Sequence, residues 1–197
     1  MSAPRLAAVA EGDAELLAAV ARGELEALGR LFDRHEPDLR RYLGRLGVSA
    51  ADADDLVQTT FLEVMRAAPR FDPALPARAW LMGIATMMVR RHRRTLARAM
   101  ARLTSWAIQP REDSPPTPAQ AFESDEAARQ LQRAFDALSQ KKREVFVMVT
   151  LEGMSGDQVA RALDIPVNTV WTRLHHARRE LQDALGTGAS TPSGGRS

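Results

Sequence analysis

Four prolines fall within the stretch TSWAIQPREDSPPTPAQ, residues 104–120, at positions 110, 115, 116 and 118. Each removes a backbone amide donor, fixes φ, and pushes the residue before it out of helical geometry. No helix can run through such a segment, so the chain on either side of it must bury its apolar surface separately. The stretch is therefore read as a flexible linker, 104–120, between two small domains, 13–103 and 121–185. Residues 1–12 form an N-terminal extension, and residues 186–197, rich in Gly, Ser, Thr and Pro, read as a disordered tail.

Both domains are expected to be all-α. Aromatic residues make up 5% of the chain and hydrophobic residues 45%, with Ala, Leu and Arg dominant, so helix formers abound and sheet formers are scarce. Cysteine is absent, and His35, His92, His175 and His176 show no metal-ligand spacing. No metal site and no cofactor is expected. No nucleophile-base pair or phosphate-binding glycine loop appears, so an enzyme is not expected either. Glu11, Asp13 and Glu15 interrupt the Ala-rich start, and no run reaches membrane-spanning length. The expectation is a cytoplasmic protein with no membrane insertion.

In the first domain, Leu16, Leu17 and Val20 precede a helical pattern through Leu28, Leu31 and Phe32, which Pro37 should kink or break before Leu39, Tyr42, Leu43 and Leu46 resume it. Gly47 ends the run. Ser49 and Asp52 mark the start of a helix over about 50–67, with Leu56, Val57, Phe61, Val64 and Met65 available to the interior. Pro69, Pro73 and Pro76 make a loop, and a long helix comes next over about 77–103. Its first half is apolar through Trp80, Leu81, Ile84, Ala85 and Met88; its second half carries Arg90, Arg91, Arg93, Arg94, Arg98 and Arg102 with no acid between them.

The second domain opens with Ala128, Leu131, Phe135 and Leu138 on one helical face, and a second helix from Ser139 stops near Gly153. Ser155 and Gln158 form an S-x-x-Q capping box that starts a short helix, and Asp164-Ile165-Pro166 makes a tight turn into a final helix with Val170, Leu174, Ala177 and Leu181 as its core stripe. Two short helices joined by such a turn form a helix-turn-helix. The polar side of the final helix offers Asn168, Thr169, Thr172, Arg173, His176, Arg178 and Arg179, residue types that pair with base edges and phosphates in the major groove.

The net charge of +2 conceals where the positive charge sits. Residues 69–103 hold eight arginines against one acid, Asp72, whereas residues 1–68 are net acidic. A block of like charge with no compensating acids points to an anionic partner, here nucleic acid.

The segment LSQKKREVFVMVTLEGMSGDQVARALDIPVNTVWTRLHHARREL resembles the fourth conserved region of sigma factors of the extracytoplasmic-function (ECF) group, and DADDLVQTTFLEVMRAAPRFDPALPARAWLMGIA resembles their second region. The resemblance implies a transcription initiation factor that binds core RNA polymerase, directs it to specific promoters and assists melting. It implies docking on the β′ coiled coil through Asp54, Asp55, Leu56, Gln58 and Phe61, with the β subunit as a second polymerase contact. Recognition and opening of the −10 element fall, by the same resemblance, to the loop from Phe71 to Ala79 and the helix after it, with Phe71, Asp72, Trp80, Met87, Arg90, Arg91 and Arg94. The −35 element is assigned to Asn168, Thr169, Trp171, Thr172, Arg173, His176 and Arg178. An anti-sigma factor is a further partner that the resemblance suggests.

Four positions depart from the family pattern. Met87 stands where Asn is common, Arg91 where an acid or amide is common, Met65 where Trp is frequent, and Trp171 where Lys is often found. The promoter sequence is therefore not carried over. Leu56 and Phe61 read equally well as core residues. Trp80, at the start of an apolar stripe, reads more readily as core than as a base-stacking platform. Trp171 reads either as a contact to thymine methyls or sugar edges or as a cover for the domain. On the helix-turn-helix alone, a stand-alone regulator that binds palindromic half-sites as a dimer is the competing reading.

Overall fold

At Gly23 the backbone takes φ +92°, a left-handed turn that costs glycine little, and the first apolar pattern becomes two helices, α1 (Asp13–Ala21) and α2 (Leu25–Arg45). In this computed structural model residues 12–104 and 126–186 are described. The N-terminal extension but for Gly12, the linker beyond Thr104, and the tail beyond Gly186 lie outside them. The first half holds two further helices: α3 (Ala50–Ala67), which runs into a short 3-10 turn at Ala68–Arg70, and α4 (Ala77–Thr104). The second half holds α5 (Glu126–Ala137), α6 (Gln140–Phe146) continued by a π turn at Val147–Leu151, α7 (Gly156–Leu163) and α8 (Val167–Gly186). Among the described residues there is no strand. The chain divides into two compact units within α4, after Val89, with Arg161–Asp164 in the first unit.

Of the kink or break expected at Pro37, the break does not occur, and α2 runs through Pro37 to Arg45. Leu31 and His35 before it, and Leu39, Tyr42 and Leu43 after it, are all buried, so both flanks are pinned to the same core. Pro37 itself is exposed, and water can serve the Asp33 carbonyl that its ring leaves without a donor. Asp13 anchors α1 to α2 by accepting from Arg34 and pairing with His35 Nε2 at 2.9 Å. Phe61 of α3 meets Phe32 of α2 with ring centroids 4.9 Å apart. The Ser49 hydroxyl oxygen accepts from the Asp52 amide at 3.2 Å and fixes the start of α3.

In the second unit, Leu138, Ala177 and Leu181 form a core cluster on which Ala134, Phe135 and Phe146 pack. Leu131, expected on the same inward face, is exposed. Arg143 of α6 is buried, and its Nη2 donates to the carbonyls of Phe135 (3.1 Å) and Asp136 (2.6 Å) at the end of α5. Burial pushes its pKa below the ordinary arginine value; Asp136 works against that shift and Arg93 adds to it. Gly153 ends the π turn with φ +69°, and the capping box is formed as its spacing predicts: Gln158 N donates to Ser155 Oγ (3.2 Å) and Ser155 N to Gln158 Oε1 (3.0 Å). Asp164 takes φ +51°, a left-handed conformation that Asp tolerates better than most residues, which lets the chain turn into α8.

Candidate nucleic-acid and polymerase interface

On α8, Val170, Leu174, Ala177 and Leu181 are buried, and this fixes which side faces water. Asn168, Thr172, His175 and Arg179 succeed one another at spacings of four, three and four, and all are exposed. They form the outward row of the helix. His176 and Arg178 are also exposed, flanking the row, while Thr169 is half-buried. The Thr172 hydroxyl donates to the Asn168 carbonyl at 2.8 Å, so towards a ligand it offers its lone pairs and its methyl group. Arg173 lies off the row: it is half-buried, and its Nη1 is enclosed without a hydrogen-bond partner. Arg179 was already among the polar-side donors read from the sequence, whereas His175 was not; counting helical turns from Asn168 would have found it.

The arginines of α4 divide in two. Arg91, Arg94 and Arg98 continue the line of the exposed Met87, again at spacings of four, three and four, and no ion pair holds any of the three among the described residues. Arg90 lies to one side. Within the second unit its Nη2 donates to Glu144 Oε2 at 2.5 Å and its Nε to Glu144 Oε1 at 3.0 Å, and Glu144 is only 1% exposed. Gln140 Nε2 donates to the same carboxylate at 2.9 Å. Arg90 is thus matched by a buried acid, unlike the outward row. Ahead of α4, Trp80 and Phe71 are half-buried and pack edge to face, centroids 5.1 Å apart. Exposed Asp72 accepts the Ala74 amide at 2.9 Å and shapes the loop.

On α3, Leu56 (5% exposed) and Phe61 (4%) are interior residues, because they point towards α2 and the core. Their side chains offer no surface to a partner in this fold. Asp54, Asp55 and Gln58 are exposed, and Asp54 pairs with Arg40 of α2. Leu62, 53% exposed, and Met65 continue the face of Asp55 and Gln58. Met65 was expected inside; it lies one turn beyond Phe61 on the water side. Among the described residues no three His, Cys, Asp or Glu gather to hold a metal ion, and no helix is long and apolar enough to cross a membrane.

The chain matches the sigma-70 region 2 family over residues 31–105 and the sigma-70 region 4 family over residues 128–181. It is 32% identical to the RNA polymerase sigma factor CarQ of Myxococcus xanthus over 82% of this chain and 90% of that protein. It is 31% identical to the ECF RNA polymerase sigma factor SigE of Mycolicibacterium smegmatis over 79% of this chain, which spans only 60% of that protein. The structure of CnrH in complex with the cytosolic domain of CnrY aligns with a TM-score of 0.61 and 30% identity, covering 91% of this chain and all of CnrH.

Proposed function

The chain belongs to the ECF-type sigma factors, which direct RNA polymerase to promoters, and from that premise we propose how its residues divide the task. Sigma factors have no catalysis of their own; the polymerase carries out the chemistry. The observation that carries the proposal is the pair of exposed rows, Arg91-Arg94-Arg98 on α4 and Asn168-Thr172-His175-Arg179 on α8.

The α8 row, with Thr169, Trp171, Arg173, His176 and Arg178 beside it, reads the −35 element in the major groove, its first turns nearest the base edges. The α4 row, with Met87 and the loop around Phe71, Asp72 and Trp80, holds the −10 element and the strand released on melting, for which a basic groove beside apolar surface is suited. Arg90 joins it only when Glu144 lets go. Core polymerase docks on the exposed face of α3, Asp55, Gln58 and Leu62, through its β′ coiled coil, and the region 4 half meets the β subunit.

The two matched sigma regions, residues 31–105 and 128–181, are each assigned their own promoter element. A protein partner comparable to the CnrY domain seen with CnrH is proposed to hold the factor inactive. The cytoplasm, where promoter DNA and polymerase meet, is the proposed compartment.

The test is selective run-off transcription. Purified chain with core RNA polymerase should initiate at a promoter that neither component uses alone, and failure of the chain to co-purify with core would overturn the proposal.

A further inference from the structure

Trp171 is half exposed, 50%, and its exposed neighbours in the first turns of α8, Asn168 and Thr172, are polar. Its covered half rests on α7: a Cβ built on Gly156 would lie 2.4 Å from Trp171 Cζ2, 2.8 Å from Cε2 and 3.1 Å from Cη2. No side chain fits there, so the indole sits directly on the Gly156 backbone. That backbone is itself fixed, because the reciprocal Ser155 and Gln158 bonds set the first turn of α7. The free half of the ring then stands beside Asn168 and Thr172, both exposed, in the first turns of α8. A rigid apolar surface among hydrogen-bond donors and acceptors suits an apolar feature among polar base edges, and in the major groove that feature is the thymine C5-methyl group.

We propose that Trp171, seated on Gly156, reads one thymine of the upstream promoter element through its methyl group. The proposal rests on the reading of α8 as the −35 reader and adds a chemical specificity to it. Gly156 acts as a positioning residue: its lack of a side chain sets where the ring stands.

The test uses holoenzyme assembled from the full chain and core RNA polymerase, with a duplex library randomised across the upstream element. In the selected sequence each thymine is replaced singly by deoxyuridine, which removes only the methyl group. At one position the replacement should weaken wild-type binding about fourfold, the worth of one buried methyl-sized group. Trp171→Ala should lose that discrimination, and Gly156→Ala, which keeps the indole but pushes it off its seat, should lose it too.

A selected element in which no thymine responds to deoxyuridine, or one at which Trp171→Ala responds as the wild type does, would overturn the proposal while leaving α8 as the reader. If the holoenzyme selects no sequence, the reading of α8 falls and the proposal falls with it.

Discussion

The hydroxyl groups of Tyr42 and Thr86 lie 2.5 Å apart, both side chains fully buried, and join α2 to α4. Thr86 spends its one proton on the Met82 carbonyl at 2.8 Å, so the Tyr42 hydroxyl donates to Thr86. Tyr42→Phe removes that donor while Thr86 keeps its bond to Met82. The expected loss is about 1 kcal/mol, read as a lower urea midpoint with an unchanged slope. A midpoint equal to the wild type would show that the pair contributes nothing net.

Arg143 holds the end of α5 by donating to two of its last carbonyls and lies with its guanidinium carbon 5.2 Å from the Phe135 ring centroid. Arg143→Leu keeps apolar bulk and strips both carbonyls of this donor. The second unit should lose about 2 kcal/mol, within the range for hydrogen bonds to charged groups. Amide exchange along α5 should report it first, since this end of the helix is what the guanidinium ties down.

Local rules were legible in the sequence where local chemistry decides. Ser155 and Gln158 cap α7 and Gly47 ends α2 with φ +79°, because each depends on residues within one turn. Pro37 shows the limit: its preference is local, but the burial of Leu31 and Tyr42 that overrides it is tertiary. Gly23 escapes notice because a glycine inside an apolar period does not announce its φ. The Arg90 pair with Glu144 spans 54 residues and leaves no mark in either neighbourhood, so the six arginines read as one block. The face of α3 stays open in the sequence for another reason. Leu56 and Phe61 match a docking pattern and a core pattern equally, and only the position of α2 separates them.

The division among those arginines changes what DNA binding should depend on. Replacing Arg91, Arg94 or Arg98 by Ala should flatten the log-log salt dependence of binding by about 0.7 to 0.9 for each phosphate that is no longer neutralised. Arg90→Ala should leave the slope of the free chain nearly unchanged, because Glu144 already matches that charge. Equal flattening by all four substitutions would mean that the Arg90 pair opens on DNA.

Arg173 poses the sharper question, because it is the arginine nearest the start of α8, a residue type suited to guanine, and yet stands half-buried beside the outward row. Its Nη1 is enclosed with no hydrogen-bond partner, a state that costs free energy in the unbound protein. Swinging the guanidinium onto a DNA acceptor removes that cost, which favours Arg173 as a residue that changes position on binding. If the acceptor is the bidentate edge of guanine, Arg173→Ala should weaken binding to the −35 element by about 1 to 3 kcal/mol more than binding to a scrambled duplex. Competition binding of the two duplexes to holoenzyme measures the difference directly. Equal losses on both would assign the guanidinium to the phosphate backbone, and its share in specificity would pass to the Asn168 row.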